Sequence, residues 1–259
     1  MRKLALITGA STGIGFELAS IAAEEGYDLL VAANEELINA AAADFGQHDV
    51  DVTPVEADLS SRAGVDQMLR QLNGRQIDVL CANAGVGTGG AFLEQEFGNW
   101  EHSVNTNITG TIYLLQEVLK QMVQRGEGKV LVTGSIAGYI PGSYNAVYNA
   151  TKAFIDNFTD ALRNELKDMD GITLTTLMPG ATDTEFFERA GMLDTQVGAD
   201  DNKDDPAKVA RDGWDAMMNG EDRIISGWKN KLQVAASGLV PVGILAEQHR
   251  KMAEPGSAE

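Results

Sequence analysis

Short, almost wholly apolar runs recur along the chain at intervals filled by sequence with helical spacing, and this alternation confines the fold more tightly than any other feature. The runs are Leu4–Thr8, Asp28–Ala33, Val50–Ala57, Ile77–Ala82, Lys129–Thr133, Ile172–Met178 and Arg223–Ser226. Most are continuously apolar rather than alternating, as expected of strands covered on both faces. Helical spacing fills 15–25, 35–45, 62–72, 100–125, 145–167, 207–219 and roughly 228–251. Strands alternating with helices of this length predict an α/β fold, a doubly wound parallel seven-stranded sheet flanked by helices. Neither an internal repeat nor a Pro/Ser/Gly linker interrupts the chain, so residues 1–259 read as one domain. A polar, glycine-broken loop of about 183–206 and a C-terminal extension of about 227–259 depart from the rhythm.

Charge narrows the range of partners. Twenty basic against 38 acidic side chains give a formal charge of −18, which opposes a nucleic-acid backbone and an anionic lipid surface. No nucleic-acid or membrane partner is expected. The sequence shows no metal-ligand cluster. Cys81, the only cysteine, lies within an apolar run and reads as a core residue. Thr8-Gly9 ends the first apolar run well short of a signal-peptide core. A cytoplasmic setting is expected.

The first strand runs directly into Thr8-Gly9-Ala10-Ser11-Thr12-Gly13-Ile14-Gly15 and then a helix. Glycines let the backbone approach a pyrophosphate, and the free N–H groups of a helix N-terminus meet its charge. The spacing is G-x-x-x-G-x-G, not the commoner G-x-G-x-x-G, and small residues here also serve helix–sheet packing. A second turn, Asn83-Ala84-Gly85, ends the fourth strand. Asp58 ends the third, either as a hydrogen-bond acceptor for an adenine amine or as a helix cap.

Tyr148 and Lys152 are four residues apart on one expected helix, with Cβ atoms about 5–6 Å apart. A buried cation beside a phenol favours the phenolate, lowering a group whose reference pKa is about 10 towards useful acid/base chemistry. Ser135 lies upstream at the end of the fifth strand. Tyr144 is read as packing or substrate contact, because its own neighbour four residues on is Tyr148. Thr133 reads as a strand residue.

Taken in order, the turn from Thr8 to Gly15, Asp58, Asn83-Ala84-Gly85, Asn107, Ser135, Tyr148-x-x-x-Lys152 and Pro179-Gly180 resemble the short-chain dehydrogenase/reductase family. The resemblance runs from the first strand to at least Thr184. It implies a Rossmann fold and an NAD(P)-dependent oxidoreductase moving hydride between nicotinamide and a ketone or secondary alcohol. Tyr148 would be the acid/base, Ser135 would hold the substrate oxygen, and Lys152 would bind the nicotinamide ribose and lower the tyrosine pKa. Asn107, preferred to Asn105 because Ile-Thr-Gly follows it, would position a relay water. Cofactor contacts would come from Gly9, Ser11, Thr12, Gly13, Ile14, Gly15, Asn34, Asp58, Leu59, Asn83, Ala84, Gly85, Tyr148, Lys152, Pro179, Gly180, Thr182 and Thr184. Family members assemble as dimers or tetramers, so a homo-oligomer, most often a homotetramer, is implied, through the helices at 100–125 and 145–167.

The sequence departs from the family after the second strand, where Ala32-Ala33-Asn34-Glu35-Glu36 offers neither the usual acid nor a cation. With no cation nearby and Glu35 opposing a 2′-phosphate, the cofactor is NAD(H) or NADP(H) with a lean to NAD(H). An epimerase or dehydratase, or a silent cofactor-sensing protein, are the alternatives. The substrate pocket, drawn from 86–90, 136–144 and 186–205, reads as mainly apolar.

Overall fold

The computed structural model describes residues 2–258. Its seven strands are β1 (Leu4–Thr8), β2 (Asp28–Ala33), β3 (Val52–Glu56), β4 (Val79–Ala82), β5 (Gly128–Thr133), β6 (Ile172–Met178) and β7 (Arg223–Ile225). All pair in parallel in the order β3-β2-β1-β4-β5-β6-β7. This is the Rossmann-like sheet that the alternation predicted. Chain order reverses between β1 and β4, which opens a crevice at their carboxyl ends.

The helices are α1 (Gly13–Glu24), α2 (Leu37–Phe45), α3 (Arg62–Arg70), α4 (Phe97–Val104), α5 (Thr111–Arg125), α6 (Ala146–Glu165), α7 (Phe186–Arg189), α8 (Gln196–Ala199), α9 (Pro206–Asn219), α10 (Trp228–Ser237) and α11 (Val242–Ala253). Leu18, Ile38, Phe45 and Trp214 pack α1, α2 and α9 on one face of the sheet. Met68, Leu115, Val118 and Ile155 pack α3, α5 and α6 on the other. Burial on both faces explains why β1, β2 and β4 are apolar at nearly every position. β3 differs because it is an edge: it is largely exposed and carries Pro54, which such a position tolerates.

Two expected long helices are broken. The segment read as one helix over 100–125 begins at Phe97 and is interrupted by a π-helical turn, Asn105–Gly110. The wider turn rotates the register and buries Asn107, only 2% exposed. The C-terminal helix stops at Gly238, because Pro241 removes a backbone donor and restarts the chain as α11. The loop at 183–206 folds into α7 and α8, and its ends are tied by a bridge between Thr182 and Asp204. No helix among the described residues is long and apolar enough to cross a membrane.

Trp214 is fully buried between α1 and the sheet and meets Tyr27 edge-on at 5.7 Å. Trp214→Ala is expected to destabilise by about 3–5 kcal/mol, or about 6–20 °C in Tm for a chain of this size. Thermal unfolding checks this; a shift under about 2 °C would contradict the packing role.

Candidate active site

The carboxyl edge of the sheet is organised around one hydroxyl. Thr8 Oγ1, at the end of β1, accepts hydrogen bonds from the backbone N–H groups of Asn83 and Ala84, each at 3.0 Å. The Asn83 amide donates back to the Thr8 carbonyl at 3.1 Å, and its carbonyl oxygen accepts from the Thr133 hydroxyl at 3.0 Å. The ends of β1, β4 and β5 are thereby locked together, and the glycine turn and the Asn83-Ala84-Gly85 turn face one cleft. Gly13 has φ +58°, which favours glycine. Gly15 has no room for a side chain: a Cβ there would lie 1.9 Å from the Gly9 carbonyl oxygen. Unlike α3 and α9, capped by Ser61 and Asp205, α1 has no side-chain cap, so its first N–H groups stay available to an anion.

The cleft has a volume of about 1810 Å³. Gly9, Ser11, Thr12, Gly13, Ile14, Asn34, Asp58, Leu59, Asn83, Ala84, Gly85, Ser135, Tyr148, Lys152, Pro179, Gly180, Thr182 and Thr184 all line it. Gly15 and Asn107 stand behind its wall. Asp58 does not cap α3, since Ser61 does; its carboxylate accepts from the Ser60 N–H and hydroxyl at 2.9 and 2.8 Å. Burial works to raise the Asp58 carboxyl, but these bonds outweigh it and leave it below the usual range.

Ser135 lies two residues beyond β5 and caps the 3-10 turn Ile136–Tyr139, its hydroxyl accepting from the Ala137 N–H at 3.1 Å. Tyr148 and Lys152 sit on the first turns of α6, with the lysine Nζ 5.8 Å from the phenol ring centre. Lys152 is buried, and its ammonium donates to the Thr133 carbonyl at 2.7 Å. Burial pushes the Tyr148 phenol up to about 12, with the Ser135 hydroxyl opposing the rise. The expected lowering by Lys152 therefore does not appear in the protein alone. Burial lowers the lysine as well, and the nearby Asp156 carboxylate works the other way. Asn107 is fixed in place: its Oδ1 accepts from the Val86 N–H at 2.8 Å, and its amide donates to the Val86 carbonyl at 2.8 Å and to the Thr151 hydroxyl at 2.9 Å.

The loop at 183–206 lies over this machinery. Phe186 packs on Tyr148, with ring centres 4.8 Å apart. The C-terminal extension encloses the cleft from the other side. Trp228, Asn230, His249 and Met252 line it, His249 Nδ1 lies 2.8 Å from the Ser143 carbonyl, and Ala258 N–H donates to the Asp194 carbonyl at 3.0 Å. Tyr144, held at φ +62°, donates to Glu254 at 2.7 Å and packs beside Phe187. It is a packing residue that also borders the cleft.

A short chain dehydrogenase model matches residues 3–192, most of the chain and the whole of the cleft's carboxyl-edge turns. The chain belongs to the short-chain dehydrogenase family. An uncharacterized oxidoreductase of Staphylococcus epidermidis is 32% identical to this dehydrogenase over 189 residues, 72% of this chain and 80% of that one. Among solved structures, a short-chain dehydrogenase from Sphingobium yanoikuyae in complex with NADPH is 29% identical, with a TM-score of 0.81, covering 92% of this chain and 94% of that one. A bulky-bulky ketone specific alcohol dehydrogenase from Comamonas testosteroni is 26% identical, with a TM-score of 0.76, covering 92% and 93%. The dehydrogenase is thus a family oxidoreductase.

Sequence reasoning missed three residues of this dehydrogenase's cleft region. In sequence Thr8 reads only as the start of a turn, and Thr133 as strand; strand-end hydroxyls carry no periodic signal. Arg189 overturns the expectation that no cation stands near Glu35: it binds that carboxylate at 2.9 and 3.1 Å. A contact across 154 positions leaves no local trace in sequence. Thr8→Val keeps the shape but strips two part-buried N–H donors of their acceptor, an expected loss of about 1–3 kcal/mol. Urea unfolding checks it; unchanged stability would show that the hydroxyl is not the hub.

Proposed function

We propose that this short-chain dehydrogenase reduces ketones, or oxidises secondary alcohols, carrying bulky apolar groups, with a nicotinamide cofactor and Tyr148 as acid/base. The observation that carries the reading is the convergence of Ser135, Tyr148 and Lys152 on one wall of a cleft whose other wall is the glycine turn and the uncapped N-terminus of α1. That donor set fits a dinucleotide: Gly13 and Ile14 N–H groups for the pyrophosphate, Asp58 and Leu59 beside the adenine, Lys152 and Asn83-Ala84-Gly85 beside the nicotinamide ribose. The cofactor, when bound, supplies or accepts hydride.

The chain's own groups do the rest. Tyr148, neutral at ordinary pH, gives its proton to the carbonyl oxygen in reduction. Ser135 holds that oxygen. In oxidation Tyr148 must first lose its proton, and the positive charge of an oxidised nicotinamide favours that loss. Lys152, with Asn107 behind it, supports the same proton path. Val86, Ile140, Phe186, Met192 and Met252 give the substrate end an apolar lining, which suits substituents like those named for the Comamonas testosteroni enzyme. Glu35 stands beside the expected adenosine ribose, and a carboxylate there accepts from hydroxyls and repels a phosphate, which supports NAD(H). A silent sensor has no need of a serine, a tyrosine and a lysine aimed into the cleft. Stacked Phe154 and Phe158 on the outer side of α6, the former 42% exposed, support assembly with further copies.

Oxidation of NADH against a graded ketone panel tests this reading. Tyr148→Phe should lose activity by about 10²–10⁴-fold while still binding cofactor. Equal turnover in both proteins would sink the assignment. Spectroscopic titration of the phenolate, wild type minus Tyr148→Phe, should show no Tyr148 ionisation below the ordinary value of about 10 in the free protein, and an earlier one with oxidised cofactor bound. An unmoved midpoint would remove the electrostatic part of the mechanism.

A further inference from the structure

Glu35, just beyond β2, is held from two directions. Its Oε1 accepts from the Ser11 hydroxyl at 2.5 Å, and its two oxygens accept from Arg189 NH2 at 2.9 and 3.1 Å. Ser11 belongs to the glycine turn, whereas Arg189 ends α7 in the loop over the cleft. The loop reaches the turn directly: a Cβ on Gly13 would lie 2.9 Å from the Thr184 methyl. Arg189 is steadied from within its own helix by Glu185, whose carboxylate takes its Nε at 3.0 Å and also touches NH2. Its NH1 has no hydrogen-bond partner among the described residues and is free to take another anion.

The pair is half in water, with side-chain exposures of 42% for Arg189 and 26% for Glu35. An ion pair that open contributes little to stability, so its meaning lies in where it puts charge. Burial works to raise the Glu35 carboxyl, but its bonds to Ser11 and Arg189 outweigh it and keep the group ionised. Ser11, Asn34 and Arg189 all face the cleft, at the end where the adenosine ribose is expected.

We propose that Arg189 is a latent cofactor-specificity residue: a guanidinium delivered by the substrate loop to the ribose 2′ position, its inner edge held by Glu185 and its outward edge occupied by Glu35. While the pair is intact, a 2′-phosphate meets a carboxylate and finds the cation already engaged, and a free 2′-hydroxyl finds an acceptor. Once Glu35 is neutralised, NH1 and the released edge of NH2 form the planar fork that suits a phosphate. Specificity then depends on a loop that also covers the substrate, so cofactor choice and loop position are linked through one side chain. This inference rests on the nicotinamide-cofactor reading of the cleft.

The test is direct binding of NADH and NADPH, read by nicotinamide fluorescence, to wild type, Glu35→Gln, Arg189→Ala and the double variant, each checked for fold by circular dichroism. Glu35→Gln is expected to shift the NADPH-over-NADH preference by about tenfold or more, about 1.4 kcal/mol. In the double variant that gain is expected to vanish. A gain that survives in Glu35→Gln/Arg189→Ala overturns the role of Arg189, and no gain in Glu35→Gln overturns the proposal as a whole. Failure of folded wild type to bind either form is a different result, and it overturns the cofactor reading along with this one.

Discussion

The cleft depends on the hydroxyl of Thr8. Parallel strands leave their terminal N–H groups pointing into the space above the sheet, and at the β1/β4 reversal two of them, from Asn83 and Ala84, converge on one oxygen. With those donors satisfied, the turn after β4 lies against the glycine turn after β1. Asn83 then passes the alignment on to β5 through Thr133. Thr133 in turn receives the Lys152 ammonium on its carbonyl. A single chain of hydrogen bonds therefore runs from the first strand to Lys152, and its last link, from the ammonium to the Thr133 carbonyl, is buried, where such bonds are strongest.

Above that rigid edge the enclosure is built from parts distant in sequence. α7 lays Phe186 on Tyr148 and sends Arg189 to Glu35, while the C-terminal tail holds the same loop through Asp194. The loop is held by the Arg189–Glu35 ion pair, by a small apolar cluster around Phe187, Ala190 and Met192, and by backbone hydrogen bonds such as Gly89 N–H to the Ala190 carbonyl. The phenol and the ammonium below it are buried, and that burial explains why each is driven towards its neutral form.

Much of this was legible in the sequence. All seven strand runs end within two residues of the observed strands, because strands buried on both faces must be continuously apolar. Glycine spacing and the Tyr148–Lys152 repeat marked the cleft for the same local reason: backbone approach and helical periodicity are encoded over a few residues. The long helices were read too simply. Val104, Ile108 and Ile112 stay four residues apart in sequence through the π-helical turn at Asn105–Gly110, so the spacing gives no sign of the rotation it introduces. β3 was drawn too long because an edge strand frays where only one neighbour holds it.

The sequence by itself determined the alternation of strands and helices, the parallel sheet, the edge at which the turns collect and the serine, tyrosine and lysine that face it. All but the serine follow from side-chain chemistry at short spacing, and the serine follows from the resemblance to the family. Only the tertiary structure decided that Arg189 answers Glu35, that Thr8 rather than a glycine ties the turns together, that the tail clasps the loop, and that burial raises the Tyr148 phenol. Those depend on which surfaces meet when the chain closes, and on how much water that closure removes, neither of which a local pattern of residues contains.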